Sequence, residues 1–242
     1  MRSSSIVILI CMVLGLSVLC SLGTWQVNRM IWKEKLISQV EERIRQKPVG
    51  LEEIPQDTLT KETHEYRPVT MTGTFDHDSE VYFFTTSKNG LPGWNIHTPM
   101  IYGPDNAVIV NRGFVPFENR APDSRLPGQT EGQQTVTGLL RFPLLEKPFG
   151  SLANIPDKRE FYWRNVAEMS ALMGASQGVA FLPVIIDAGE EPNPGGLPIG
   201  GTTIIAFPNN HLQYAITWYG LALTLLGVGG FFLYSRRKDE ND

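Results

Sequence analysis

His211, Tyr214, Ala215 and Trp218 recur at i, i+3, i+4 and i+7 where the last apolar run of the chain begins, within Asn209-Asn210-His211-Leu212-Gln213-Tyr214-Ala215-Ile216-Thr217-Trp218. If that segment is helical, the four share one face. Trp25, Arg29 and Trp32 recur at i, i+4 and i+7 at the end of the first apolar run. An imidazole can ligate haem iron, a flat macrocycle stacks on Trp and Tyr, and a guanidinium pairs with carboxylates such as propionates. A hydrophobic ring system would reach such a site from the bilayer. The same residues have a plainer reading. Trp and Tyr gather at membrane interfaces, Arg29 can snorkel, and His211 can be a helix-start residue with a hydrogen-bonding role. Spacing alone leaves both readings open.

The elements that must carry these residues are two membrane-length runs. Residues 6–27 and residues 211–234 contain no Asp, Glu, Lys or Arg. At about 1.5 Å per residue, each exceeds the roughly 30 Å hydrocarbon core. The expected fold is therefore a membrane protein: two transmembrane α-helices flanking a mainly β (α+β) soluble domain. Residues 1–5 form an N-terminal tail. The first helix continues past the membrane to about residue 46, because residues 24–46 contain no Gly or Pro, and Pro48 and Gly50 end it. Residues 48–208 form the extracytoplasmic domain, and residues 235–242 a cytoplasmic tail. Both clusters sit at the domain end of their helices, so connectivity alone places them in the same leaflet.

A cleaved signal peptide is the alternative for the first run, but its basic start is Arg2 alone and no small-x-small site follows. Cys20 follows Leu19, where a lipoprotein signal needs a small residue. Arg236, Arg237 and Lys238 favour a cytoplasmic C-terminus, and two spans then put the domain outside. Arg29, Lys33 and Lys35 argue the other way. The net charge of −4 implies no general attraction to nucleic acid. The two cysteines, Cys11 and Cys20, both lie in the first run, about 13 Å apart along one helix. They cannot pair, and the domain has no disulfide framework and no thiol chemistry.

Within the domain, residues 66–75, 80–86, 94–102, 107–111, 134–141, 181–187 and 202–207 carry strand signals bounded by Gly, Pro, Asn or Asp. Residues 166–173 are the best helix candidate. Arg67 and Arg112 sit in or beside strands, where a buried structural ion pair competes with a partner contact. His64, His77 and His97 lack metal-ligand spacing and read as surface or core residues. Asp76, Asp78 and Glu80 read as a solvated turn. The loop at 192–201 has no phosphate-loop pattern, and the domain shows no nucleophile elbow, HExxH or thiol. An enzyme is not expected.

Six blocks then occur in a telling order. Leu22-Gly23-Thr24-Trp25-Gln26-Val27-Asn28-Arg29 is similar to the opening signature of the surfeit locus protein 1 family. Tyr66-Arg67-Pro68-Val69-Thr70-Met71-Thr72-Gly73, Val110-Asn111-Arg112-Gly113-Phe114-Val115-Pro116 and Thr135-Val136-Thr137-Gly138-Leu139-Leu140-Arg141 resemble its next three blocks. Pro194-Gly195-Gly196-Leu197-Pro198 and residues 209–222 complete the series. Phe114 stands where the third block often has Trp. The resemblance implies an assembly factor for haem-copper, notably cytochrome c, oxidases, with its domain outside and both ends inside. It implies binding of haem a and help in its delivery to the oxidase core subunit, with haem a synthase and the lipid bilayer as further partners. His211 is the implied contact to haem iron, with Trp25 and Arg29 in the pocket beside Tyr214 and Trp218. No Arg- and Ser-rich leader precedes the first run, so a bacterial inner membrane is expected. The alternative is a cofactor-free membrane scaffold that steadies an oxidase intermediate.

Overall fold

The computed structural model describes residues 3–174, 178–203 and 207–239. They form two compact units, one built on the two apolar helices and the other on the chain between them.

The first helix, α1, spans Ser3–Ile44, and the last, α4, spans His211–Asp239. Mean hydropathy reaches 2.8 in the first and 1.7 in the second, yet only 6% of either apolar window is buried within the protein. A core helix of a soluble protein would hide that surface. Here the surface is left for lipid, and both helices are long enough to cross a bilayer. Two apolar terminal helices therefore flank a sheet-rich domain.

The domain is built around a closed ring of strands. In chain order the elements are β1 (Val49–Gly50), the one-turn helix α2 (Lys61–His64), β2 (Pro68–Phe75), β3 (Val81–Thr86), β4 (Pro92–Tyr102), β5 (Asn106–Pro116), β6 (Gln133–Arg141), β7 (Glu160–Phe161), α3 (Val166–Gly174) and β8 (Ala180–Ala188). β2 pairs with β6, β6 with β8, β8 with β5, and β5 with β4. The ring closes where Thr74 and Phe75 of β2 meet Ile101 and Met100 of β4. All these ladders are antiparallel except β5–β8. β3 and β7 extend the sheet beyond β4, and β1 lies parallel to β2.

Alternation along the strands sorts the side chains into two layers. Val69, Met71, Met100, Val108, Val110, Leu140, Val184 and Ile186 fill the ring. Ile109 and Ile185 point the other way, and Val166, Met169 and Met173 of α3 cover them together with Val81 and Phe161. The strand signals foresaw six of these strands, β2 to β6 and β8, but ended β5 at Asn111. The strand in fact runs to Pro116, past a bulge at which Ile96 pairs with Gly113 and His97 with Asn111. Gly113 has φ +121°, and a Cβ there would lie 1.9 Å from the Ile199 carbonyl oxygen, so no other residue fits. The 192–201 loop crosses the end of the ring at that point, bonded through Phe114 and Ile199. Of the strand expected at 202–207, residues 204–206 lie outside the described residues. Thr202, Thr203 and Phe207 are not in a strand.

Candidate functional site

Helix α4 turns a stripe of residues at steps of four and three toward α1: His211, Ala215, Trp218, Ala222 and Leu225. Ala215 is 2% exposed. The helices run antiparallel and meet through small residues. A Cβ on Gly15 would touch Leu225, one on Gly23 would touch the Tyr219 ring, and one on Gly229 would strike Met12. Such close backbone approach is how helices associate where lipid removes the hydrophobic drive. Thr24 and Tyr219 add a hydroxyl–hydroxyl bond of 3.0 Å. Lys33 donates its ammonium to the Pro208 carbonyl, which ties α1 to the turn entering α4.

At the open end of this seam, the Nδ1 of His211 lies 2.7 Å from the Oε1 of Gln26. A carboxamide oxygen only accepts, so Nδ1 carries the proton, and in the neutral ring Nε2 keeps its lone pair. Among the described residues, no hydrogen bond engages Nε2. A ligating histidine has one ring nitrogen fixed by a neighbouring carbonyl and the other bare, and a histidine that ties two helices can look the same. Two residues away, the Oδ1 of Asn209 is buried without a partner.

The expected site residues divide. His211 and Trp218 share the seam-facing side, whereas Tyr214 is 55% exposed and projects away from it. Trp25 and Trp32 are more than half exposed, and Arg29 stacks its guanidinium 3.9 Å over the Trp32 ring. Trp25 and Arg29 lie roughly 60–100° to one side of Gln26 around α1, on a lipid-facing strip that begins where the His211 pair ends. His211 is thus brought against Gln26, and Trp25 and Arg29 lie beside that contact. Gln26, which the spacing argument passed over, is the residue that touches the histidine. A flat apolar ligand with carboxylates fits the chemistry of these residues: an imidazole at the start of α4, and exposed indole rings and a cation on one strip of α1.

The domain corrects the reading of Glu80 and narrows those of Arg67, Arg112 and His97. Glu80 is 2% exposed, not part of a solvated turn, and is ion-paired with Arg125, itself 3% exposed. Arg67 and Arg112 make no ion pair among the described residues. His97 is a core residue. Burial pushes it down to about 4, so it is neutral beside Phe83 in a polar cavity of about 200 Å³ shared with Asn111, Asp187, Arg141 and Arg164. Burial pushes Asp187 up, but Arg141, Arg164 and a hydrogen bond from Asn111 outweigh it and hold the carboxyl below its usual range. Arg141 bonds both Asp187 and Glu65, at 2.8 and 3.0 Å.

A model of the SURF1 family matches residues 13–223. Surfeit locus protein 1 of Homo sapiens is 36% identical over 218 residues, covering 83% of this chain and 69% of that protein. That of Mus musculus is 35% identical over 215 residues, covering 83% and 67%. A SURF1-like protein of Monosiga brevicollis is 35% identical over 232 residues, covering 91% and 84%. The match runs from the first apolar helix through the barrel to the second, taking in both sides of the Gln26–His211 contact, and the chain belongs to the SURF1 family.

Proposed function

We propose that this protein is a membrane-anchored assembly factor for cytochrome c oxidase that holds haem a at the edge of the bilayer through His211 and assists its delivery to the oxidase core subunit. Family membership and the two apolar helices support the coarser part of this reading. The observation that carries the finer part is the 2.7 Å bond between His211 Nδ1 and Gln26 Oε1, which leaves Nε2 bare. When bound, the haem would supply the iron that accepts that nitrogen. Trp25, Trp218 and Tyr214 would offer aromatic rings to the macrocycle, and Arg29 a cation to a propionate. Arg236 and Arg237 favour a cytoplasmic C-terminus, which supports a domain on the periplasmic side of a bacterial inner membrane, the side on which haem a synthase would be met. The role is one of binding and hand-over, not catalysis.

The same bond favours a second reading. A histidine–carboxamide pair joining two helices can be structural, and the protein would then be a cofactor-free scaffold for an oxidase intermediate. Co-expression with haem a synthesis, followed by extraction of haem from detergent-purified protein, separates the two. His211→Ala is expected to lose haem a while protein yield and helix content stay at wild-type level. Haem retained in full would exclude His211 as the ligand. Loss of the protein itself would favour the scaffold.

A further inference from the structure

The inward row of β5 reads Val108, Val110, Arg112, so the third position of an apolar row in the ring is a guanidinium. Arg112 is 2% exposed. Its partners are all neutral. Nη1 donates to the Nδ1 of His77 at 3.4 Å, and Nη2 to the Gly128 carbonyl and to the Oδ1 of Asn193 at 3.1 Å. The Phe75 ring lies 4.7 Å beneath the guanidinium. His77 donates Nε2–H to the Thr130 carbonyl at 3.0 Å, so its Nδ1 is the bare nitrogen and the ring is neutral. Among the described residues, the acid whose charge acts on Arg112 is Glu80, and it is ion-paired with Arg125. Two buried guanidiniums therefore share one carboxylate. Arg120 and Arg141 show what the fold does elsewhere: each meets a carboxylate within 3.0 Å. A buried charge without a counter-charge is costly, so an external anion that completes the pair would be bound favourably. Burial lowers Arg112 to about 10, which leaves it charged at neutral pH.

A cavity of about 160 Å³ opens beside Arg112 at the mouth of the ring, walled by Val110, Thr130, Gln134, Val136 and Asn193. Its acid is Glu191, on the exposed rim, where water screens it. The volume admits a group of a few heavy atoms and is well short of the roughly 300 Å³ of a drug-sized pocket. We propose that the barrel mouth beside Arg112 is a binding site for a single oxyanion group, a carboxylate or a phosphate, which supplies the counter-charge the fold omits. Arg112 provides the charge, Asn193 holds it in place through Oδ1, and Gln134, whose Nε2 gives one hydrogen to the Glu131 carbonyl, has a second for the anion.

The test is thermal unfolding of the full chain in detergent at pH 7.5, titrated with inorganic phosphate, with sodium acetate, or with sodium chloride at matched ionic strength. A saturable rise in Tm of several degrees with phosphate or with acetate, absent with chloride, is expected, and the better anion names the chemistry. Arg112→Gln is expected to remove the rise. No rise with either oxyanion, a rise that chloride reproduces, or a full rise in Arg112→Gln would each overturn the proposal. Should Arg112→Gln fail to fold, Gln134→Glu decides. It places a carboxylate on the same cavity and is expected to raise Tm without added anion and to blunt the response to it several-fold. An unchanged response would count against the site.

Discussion

Gln26 sets which nitrogen of His211 is available. Gln26→Leu keeps the bulk and removes the acceptor, so the imidazole is free to rotate and to exchange tautomers. Outer-sphere partners of this kind typically carry about 10–100-fold in affinity for a bound metal centre. Titration of haem into the detergent-purified variant is expected to show weakening in that range with a histidine-ligated spectrum retained. Affinity equal to wild type would make the contact a helix tie and nothing more. The histidine was legible in the sequence because its type and its place at a helix start are both unusual. Gln26 was not, because one helix does not reveal which of its faces its partner covers, and Trp25 and Arg29 drew attention to the strip that stays exposed. Glu80 was misread for a related reason. Its partner Arg125 is 45 residues away, and no spacing rule links the two.

At the scale of elements, the helix pair rests on small residues more than on polar ones. Gly23→Val puts a branched side chain where even a Cβ would lie 2.9 Å from the Tyr219 ring. Overpacking of this kind costs about 1–3 kcal/mol. The variant is expected to separate the helices at lower denaturing-detergent fractions than wild type, while Gly227→Val, with open space around it, should not. Equal behaviour of the two variants would remove glycine packing as the basis of the pair. Both apolar runs and most strands were visible as composition and alternation, since one face of each strand is buried and the other is not. The second half of β5 was hidden. Arg112 and Gly113 look like a strand end, and only the bulge and the crossing loop at Ile199 explain why the strand continues through them.

For the whole molecule, the histidines of the barrel and Asp187, which titrate in acid, agree in sign. His97 falls from 6.5 to about 4 through burial, and burial also lowers His77. A histidine whose folded pKa is depressed takes up protons more readily unfolded. Its contribution is therefore complete above pH 6.5 and is lost as pH falls toward the folded value. For His97 that amounts to about 3 kcal/mol between pH 6.5 and 4, at 1.36 kcal/mol per unit. Asp187, held below its ordinary value, adds a loss in the same direction at lower pH still. Denaturant midpoints of the barrel are expected to be flat from pH 8 to 7 and to fall steadily below 6.5, with a shallower fall in His97→Gln. A midpoint independent of pH down to 4.5 would contradict the buried, neutral state of His97.

The ring has a further consequence, which is one of timing. β8 is the last strand to be made and sits between β5 and β6, both completed earlier. At about 5–20 residues per second, a ribosome needs several seconds to pass from Pro116 to Ala188. Through that interval the facing edges of β5 and β6 carry unpaired amides and carbonyls that any extended segment can cap. The exposure of the nascent chain to misassembly is thus governed by where one strand falls in the order of synthesis. Shortening the exposed loop around Leu145, Phe149 and Leu152 would narrow that window and leave β7 and α3 packed on the barrel.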